Sequence, residues 1–200
     1  MIKGMKWWLN TDINLIGEIP SKNKVVIYAI KHQSAWETVF CTDLFSMPSI
    51  VLKKALIFLP VIGLYFLRSG AIPITRDQGI NALKKMGRKA KQAVKEKRSM
   101  MIFPQGTRVN PGVTTKEKPY LPGVFFLYSQ TKVSVIPVAH NAGLLWPKNS
   151  FIKYPNRLKS KSITIKILPE IQPGLSKIEF LQKLETIIED SSNELIKLES

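Results

Sequence analysis

The sequence predicts an α/β fold: a single domain with a largely parallel sheet covered by helices. Apolar runs of buried-strand length recur at residues 24–30, 50–52, 71–74, 100–103, 133–138 and 163–168, and helix-like patterns separate most of them. Strands alternating with helices suit a parallel sheet, because each crossover must carry the chain back to the same edge. A length of 200 residues with 44% hydrophobic content is enough for one core, so residues 1–200 are read as one unit with its motifs at about 24–143. In such a sheet the loops leaving the carboxyl ends of the strands carry the site.

The first run, KVVIYAI, leads into Lys31-His32-Gln33-Ser34-Ala35-Trp36-Glu37. Ser34 and Glu37 form an S-x-x-E capping box, in which the hydroxyl takes the Glu37 amide and the carboxylate takes the Ser34 amide. A helix therefore starts here, with a histidine in its approach. From the residues alone, His32 and Glu37 are a base with its orienter, half of a metal site, or a helix start with a bystander.

Residues 55–67, ALIFLPVIGLYFL, are greasy but broken by Pro60 and Gly63, and a membrane span needs about 20 residues. Lys53, Lys54 and Arg68 flank the run, which leaves an interfacial element and a buried core helix both open. Lys6-Trp7-Trp8 is likewise an interface anchor or ordinary core. Residues 78–98 read as a basic amphipathic helix with Ile80, Leu83, Gly87, Ala90 and Val94 on its apolar stripe, its back either solvated or facing a membrane. Ser176 and Glu179 form a second capping box, and Leu181, Leu184, Ile188 and Leu195 share a face, so a closing helix is expected at about 176–198.

Thirty Lys and Arg against 14 Asp and Glu give a net charge of +16, and the pI is near 10.0. Such a chain is drawn to polyanions. Nucleic acid is not the expected one, since zinc-finger spacing and RNP-like aromatic motifs are missing from the sequence. The single cysteine, Cys41, makes no internal bridge, and without a Cys/His cluster no metal site is expected. MIKGMKWWLNTD lacks the apolar core of a signal peptide. A serine hydrolase built on Ser34 or Ser129 lacks a G-x-S-x-G elbow.

A second chemical cluster runs from a buried strand into a loop as Phe103-Pro104-Gln105-Gly106-Thr107-Arg108. Gly106 permits a tight turn with exposed amides, the Thr107 hydroxyl adds a donor, and Arg108 offers a planar fork suited to phosphate. Gly70-Ala71-Ile72-Pro73-Ile74-Thr75-Arg76 repeats the order of strand, then arginine. Arg76, Arg108 and Lys53 can thus meet His32 at one edge of the sheet.

Taken together these blocks resemble the glycerolipid acyltransferase family, typified by bacterial 1-acyl-glycerol-3-phosphate acyltransferases. HxxxxD is matched by His32 to Glu37 with Glu for Asp, and GxxPxxR by Gly70 to Arg76. FPEGTR is matched by Phe103 to Arg108 with Gln105 for Glu, and VIPVA by Val135 to Ala139. Four blocks in order are far more specific than any one.

The resemblance implies transfer of a fatty acyl group from acyl-CoA or acyl carrier protein to the hydroxyl of a lysophospholipid, 1-acyl-glycerol 3-phosphate, in phospholipid biosynthesis. Glycerol 3-phosphate, another lysolipid, and a non-catalytic lipid-binding role are the alternatives. His32 is the implied base and Glu37 its orienter; Arg76, Arg108, Thr107, Gly106 and Lys53 are implied to hold the acceptor phosphate. Gln105 would remove a charge near that phosphate. No cofactor is implied beyond the thioester donor. Many relatives carry an N-terminal hydrophobic segment before the first block, so peripheral attachment to an anionic membrane surface at its cytoplasmic face is expected to come from elsewhere in this chain.

Overall fold

The computed structural model describes residues 11–75, 79–149 and 162–199. Its strands are β1 (Asp12–Ile16), β2 (Ile27–Ile30), β3 (Ser49–Lys53), β4 (Ile72–Ile74), β5 (Met100–Ile102), β6 (Val135–His140) and β7 (Ser162–Ile167). The helices are α1 (Trp36–Leu44), α2 (Ile62–Arg68), α3 (Gly79–Lys95), α4 (Gly123–Thr131), the single turn α5 (Ala142–Leu145) and α6 (Lys177–Glu199), with a 3-10 segment at Lys54–Phe58.

The strands form one seven-stranded sheet in the order β1-β7-β6-β2-β5-β3-β4. Every neighbouring pair is parallel except β6 with β7. The predicted α/β class therefore holds, with a sheet that is parallel apart from one pair. The strand β1 had no counterpart in the sequence reading. Its residues are mostly exposed, so it lacks the continuous apolar run that marks a strand buried on both faces.

Period-2 alternation divides the core between the two faces of the sheet. Tyr28 and Ile30 point to one side, where Trp36, Phe40 and Phe45 of α1 and its exit cover them. Ile27 and Ala29 point to the other, against Met86 and Ala90 of α3, Val124 and Leu127 of α4, and Phe180, Leu184 and Ile188 of α6. Gly87 lets α3 approach α4, since a Cβ there would lie 2.8 Å from the Phe126 ring.

Two local expectations change. The buried face of α3 runs through Ala82, Met86, Gly87, Ala90 and Ala93, whereas Ile80, placed on the apolar stripe by the sequence, is 71% exposed. Small alanines rather than the larger aliphatics pack closest to the sheet. Residues 55–67 do not form one buried helix: they fold as the 3-10 segment and α2, turning at Val61 and leaving Phe58, Val61 and Leu64 75%, 79% and 68% exposed. At the other end the capping box forms as expected, with Ser176 N donating to Glu179 Oε2 (2.9 Å) and Glu179 N donating to Ser176 Oγ (3.4 Å). Lys6, Trp7 and Trp8 lie outside the described residues.

Candidate active site

Three adjacent parallel strands, β2, β5 and β3, end at the same edge of the sheet, and each releases one part of the site. Residue Ala29 of β2 is level with Ile102 of β5, so His32 and Phe103, each a short step beyond, come together. The imidazole stacks on the Phe103 ring with centroids 3.9 Å apart. Val109 N donates to the His32 carbonyl at 2.8 Å, which stitches the loop after β5 to the one after β2.

Glu37 approaches the same ring from α1. Its Oε1 lies 2.8 Å from His32 Nδ1 and accepts the amides of Gln33 (2.9 Å) and Ser34 (2.8 Å), while Oε2 accepts Ser34 at 2.9 Å. Half of the predicted capping box is thus present. The other half is corrected: the Ser34 hydroxyl takes the Trp36 amide at 3.2 Å, not that of Glu37, because the helix begins at Trp36 and Ser34 stands one turn position too early. Glu37 is fully buried. Burial alone would raise its carboxyl; His140 and His32, together with the Ser34 amide, override that and hold it below its ordinary value. An ionised carboxylate only accepts, so Nδ1 carries a proton, and in the neutral imidazole the lone pair is then on Nε2. The extra methylene of Glu over Asp is accommodated by the chain folding back onto the amides at 33 and 34.

His32 sits in the wall of a cleft of about 730 Å³ that also takes in Lys53, Gly106, Thr107 and Arg108. Gly106 adopts φ 64 and donates its amide to the Phe103 carbonyl at 2.8 Å, a left-handed turn that suits glycine. The remaining walls are largely apolar, including Val51, Leu52, Leu83, Met86, Ile102 and Val124. The cleft thus offers a basic nitrogen, cations at its rim and a hydrocarbon lining. Exposed Ile80 and Leu56 also line it, so the 55–67 segment meets the cleft at Leu56.

Five of the seven predicted site residues therefore line one cleft, and Glu37 stands behind His32. Arg76 lies outside the described residues. Gln105 is buried between Pro104 and Gly106, which line the cleft, and donates its amide to the Lys118 carbonyl at 3.2 Å. Its replacement of Glu supplies a donor for the following loop. Three residues escaped the sequence reading. Lys31 is buried and paired with both oxygens of Glu189 on α6 at 2.7 and 2.6 Å; Tyr120 donates to the same carboxylate at 2.8 Å; and His140 sits fully buried beside Glu37. Their partners are distant in sequence, so only a buried-charge pattern within KVVIYAIK could have flagged Lys31.

A family model described as acyltransferase matches residues 12–141. The chain belongs to the acyltransferase family. Within it, the chain is 34% identical over 148 residues to the 1-acyl-sn-glycerol-3-phosphate acyltransferase of Pseudomonas aeruginosa, covering 74% of this chain and 56% of that protein. It is 28% identical over 147 residues to the Saccharomyces cerevisiae enzyme of the same name, covering 72% and 48%. The chain thus spans about half the length of these curated relatives. The crystal structure of the 1-acyl-sn-glycerophosphate acyltransferase of Thermotoga maritima superposes with a TM-score of 0.77 at 23% identity, over 96% of this chain and 76% of that one. That likeness establishes the acyltransferase fold, and the family model covers all four sequence blocks up to Ala139.

Proposed function

We propose that this acyltransferase-family chain transfers a fatty acyl group from a thioester to the free hydroxyl of 1-acyl-glycerol 3-phosphate, giving phosphatidic acid. The observation that carries the proposal is the His32–Glu37 pair in the wall of an apolar cleft whose rim holds Lys53, Gly106, Thr107 and Arg108. The names of the relatives support the same substrate.

In this reading His32 Nε2 takes the acceptor's hydroxyl proton as that oxygen attacks the thioester carbonyl, a step worth roughly 10² to 10⁴ in rate. Collapse of the adduct forms the ester and breaks the C–S bond, and the imidazolium returns its proton to the departing thiolate. Glu37 holds the Nδ1–H tautomer and stabilises the transient imidazolium. Arg108 and Lys53, with Arg76 and the Thr107 hydroxyl, hold the acceptor phosphate and convert an encounter into a positioned reaction, while the Gly106 amide, bonded to the Phe103 carbonyl, shapes the turn that presents them. The thioester is already activated, so no cofactor is needed. The apolar walls accommodate an acyl chain, and the neighbouring groove of about 460 Å³, lined by Lys54, Lys85, Arg88 and Lys89, suits the anionic end of acyl-CoA or acyl carrier protein.

The acceptor is a membrane lipid, and we place the protein peripherally at an anionic, cytoplasmic membrane face. No described helix is long and apolar enough to cross a membrane. Exposed Phe58, Val61 and Leu64, flanked by Lys54 and Arg68, supply apolar insertion and charge attraction.

The test is a panel of purified protein with lysophosphatidic acid, glycerol 3-phosphate and a lyso-ornithine lipid, crossed with acyl-CoA and acyl carrier protein donors. Phosphatidic acid from lysophosphatidic acid, lost in His32→Ala, is expected. Transfer to another acceptor alone, or full activity in His32→Ala, overturns the proposal.

A further inference from the structure

The ladder between β2 and β6 ends one residue before the base. Lys31 N donates to the Val138 carbonyl at 3.1 Å, but the Lys31 carbonyl is met by a side chain: His140 Nε2, 2.7 Å away. The other ring nitrogen, Nδ1, receives the Ala142 amide at 3.2 Å. A carbonyl only accepts and an amide N–H only donates, so a single form satisfies both contacts, the neutral imidazole with its proton on Nε2.

That proton carries a choice. His140 Nε2 also lies 4.0 Å from Glu37 Oε1, the oxygen that His32 contacts at 2.8 Å. Two imidazoles therefore border one carboxylate oxygen, and only one hydrogen-bonds to it. The titratable groups around His140 are Glu37 on α1 and Lys31 and His32 beyond β2. Burial, the largest influence, moves the His140 imidazole below its ordinary value despite the pull of Glu37, in keeping with the neutral form that its hydrogen bonds select.

We propose that His140 is a positioning residue for the His32–Glu37 pair. By directing its one proton to the Lys31 carbonyl, it leaves Glu37 Oε1 to His32 and fixes the peptide from which the base projects. Were His140 to turn to Glu37 instead, the Lys31 carbonyl would lose its donor and the carboxylate would be shared between two rings. The inference rests on His32 being the base.

Two variants test it. His140→Phe keeps the ring volume and removes both hydrogen bonds, whereas His140→Gln offers an amide nitrogen at the same reach. With His140→Phe, kcat falls by about tenfold or more while KM for both substrates stays within about twofold. The acid limb of kcat/KM moves to lower pH as the carboxylate loses its hold on the imidazolium. His140→Gln recovers most of kcat. A lowered Tm with unchanged kcat and pH profile in His140→Phe would make the residue merely structural and overturn the proposal, as would His140→Gln impaired as badly as His140→Phe. Should His140→Phe fail to fold, ¹⁵N NMR of histidine-labelled wild type decides: His140 is expected to hold the neutral Nε2–H form that its two hydrogen bonds select. A His140 that is an imidazolium at neutral pH, or carries its proton on Nδ1, overturns the proposal. Absence of acyl transfer in wild type would instead sink the assigned reaction, and the NMR result would still report the hydrogen bond.

Discussion

His32 is held between two groups that restrain it in different ways: Phe103 lies flat against its ring at an interplanar angle of 17°, and Glu37 grips its edge at Nδ1. The stack limits tilt, and the hydrogen bond limits rotation about the ring axis. Neither residue needs to touch substrate to decide where Nε2 points.

Phe103→Leu keeps an apolar wall but removes the flat surface. Stability should fall by about 1 kcal/mol, the usual worth of an aromatic pair beyond its burial, and kcat by about tenfold as the imidazole gains freedom. Urea denaturation and steady-state kinetics check the two parts, and an unchanged kcat would show that Glu37 alone aligns the base.

Glu37→Gln is expected to damage both rate and stability. Both carboxylate oxygens accept the Ser34 amide, so the NH₂ of a glutamine must either face that donor or turn to His32. A buried mismatched donor costs about 1–3 kcal/mol, and loss of the charge lowers kcat by about 10² or more. A drop in denaturation midpoint with full activity would reduce Glu37 to a cap.

Acid should unfold the protein in two stages. The imidazole of His140 is depressed below its ordinary 6.5 in the fold; between the folded and unfolded values the unfolded chain binds more protons, so stability is complete above about 6.5 and is lost as pH falls through the folded value. Glu37 is depressed below its ordinary 4.5, so its contribution is present above about 4.5 and is lost as pH falls through its own folded value. Urea midpoints measured from pH 8 down should show the first decline beginning near pH 6.5, and His140→Phe should flatten that first stage only.

Arg108→Ala and Lys53→Met should raise KM for the lysophospholipid by about tenfold or more each, with a smaller effect on the thioester, because both line the cleft and are proposed to hold the acceptor phosphate there. Arg76→Ala is expected to behave likewise from its place in the sequence block. Initial rates at varied acceptor and donor check this, and equal losses for both substrates would move these cations to the donor.

Glu189→Ala strands the buried Lys31 ammonium, which both its oxygens otherwise hold. The loss should be about 3 kcal/mol in urea denaturation, and Lys31→Met combined with Glu189→Leu should restore most of it, since apolar replacements remove the uncompensated charge. A double variant as unstable as the single one would mean that packing, not charge, dominates there.

Much of this was legible because it is local. Central strands show as apolar runs since both faces are covered, and the order of strands and helices brings His32, Lys53 and the 106–108 turn to one edge. The exceptions have a common cause. Strand β1 is mostly exposed and is recognised only through its pairing with β7. The depth of Ala82 and Ala93 over Ile80 depends on how close α3 lies to the sheet. The bond from Gln105 to the Lys118 carbonyl joins a loop 13 positions on and is not visible in the motif itself. His140 ends an apolar strand and resembles any polar exit residue; its role depends on a carbonyl 109 positions earlier in the chain.

The pairing of Lys31 with Glu189 spans 158 positions, and this bears on the order in which the molecule is made. A chain synthesised from its amino terminus completes β2, His32 and Glu37 first, while the counter-charge that allows Lys31 to be buried lies on α6, far downstream. Until α6 emerges, the segment leading from β2 to His32 carries an ammonium that resists being enclosed, and the sheet face beneath Phe180 and Leu184 lacks that cover. Such distant contacts close late because their loop entropy must be met before they reward it. The growing chain therefore has the groups of the candidate site before it has a rigid place for them, and the setting of that edge of the sheet coincides with docking of α6.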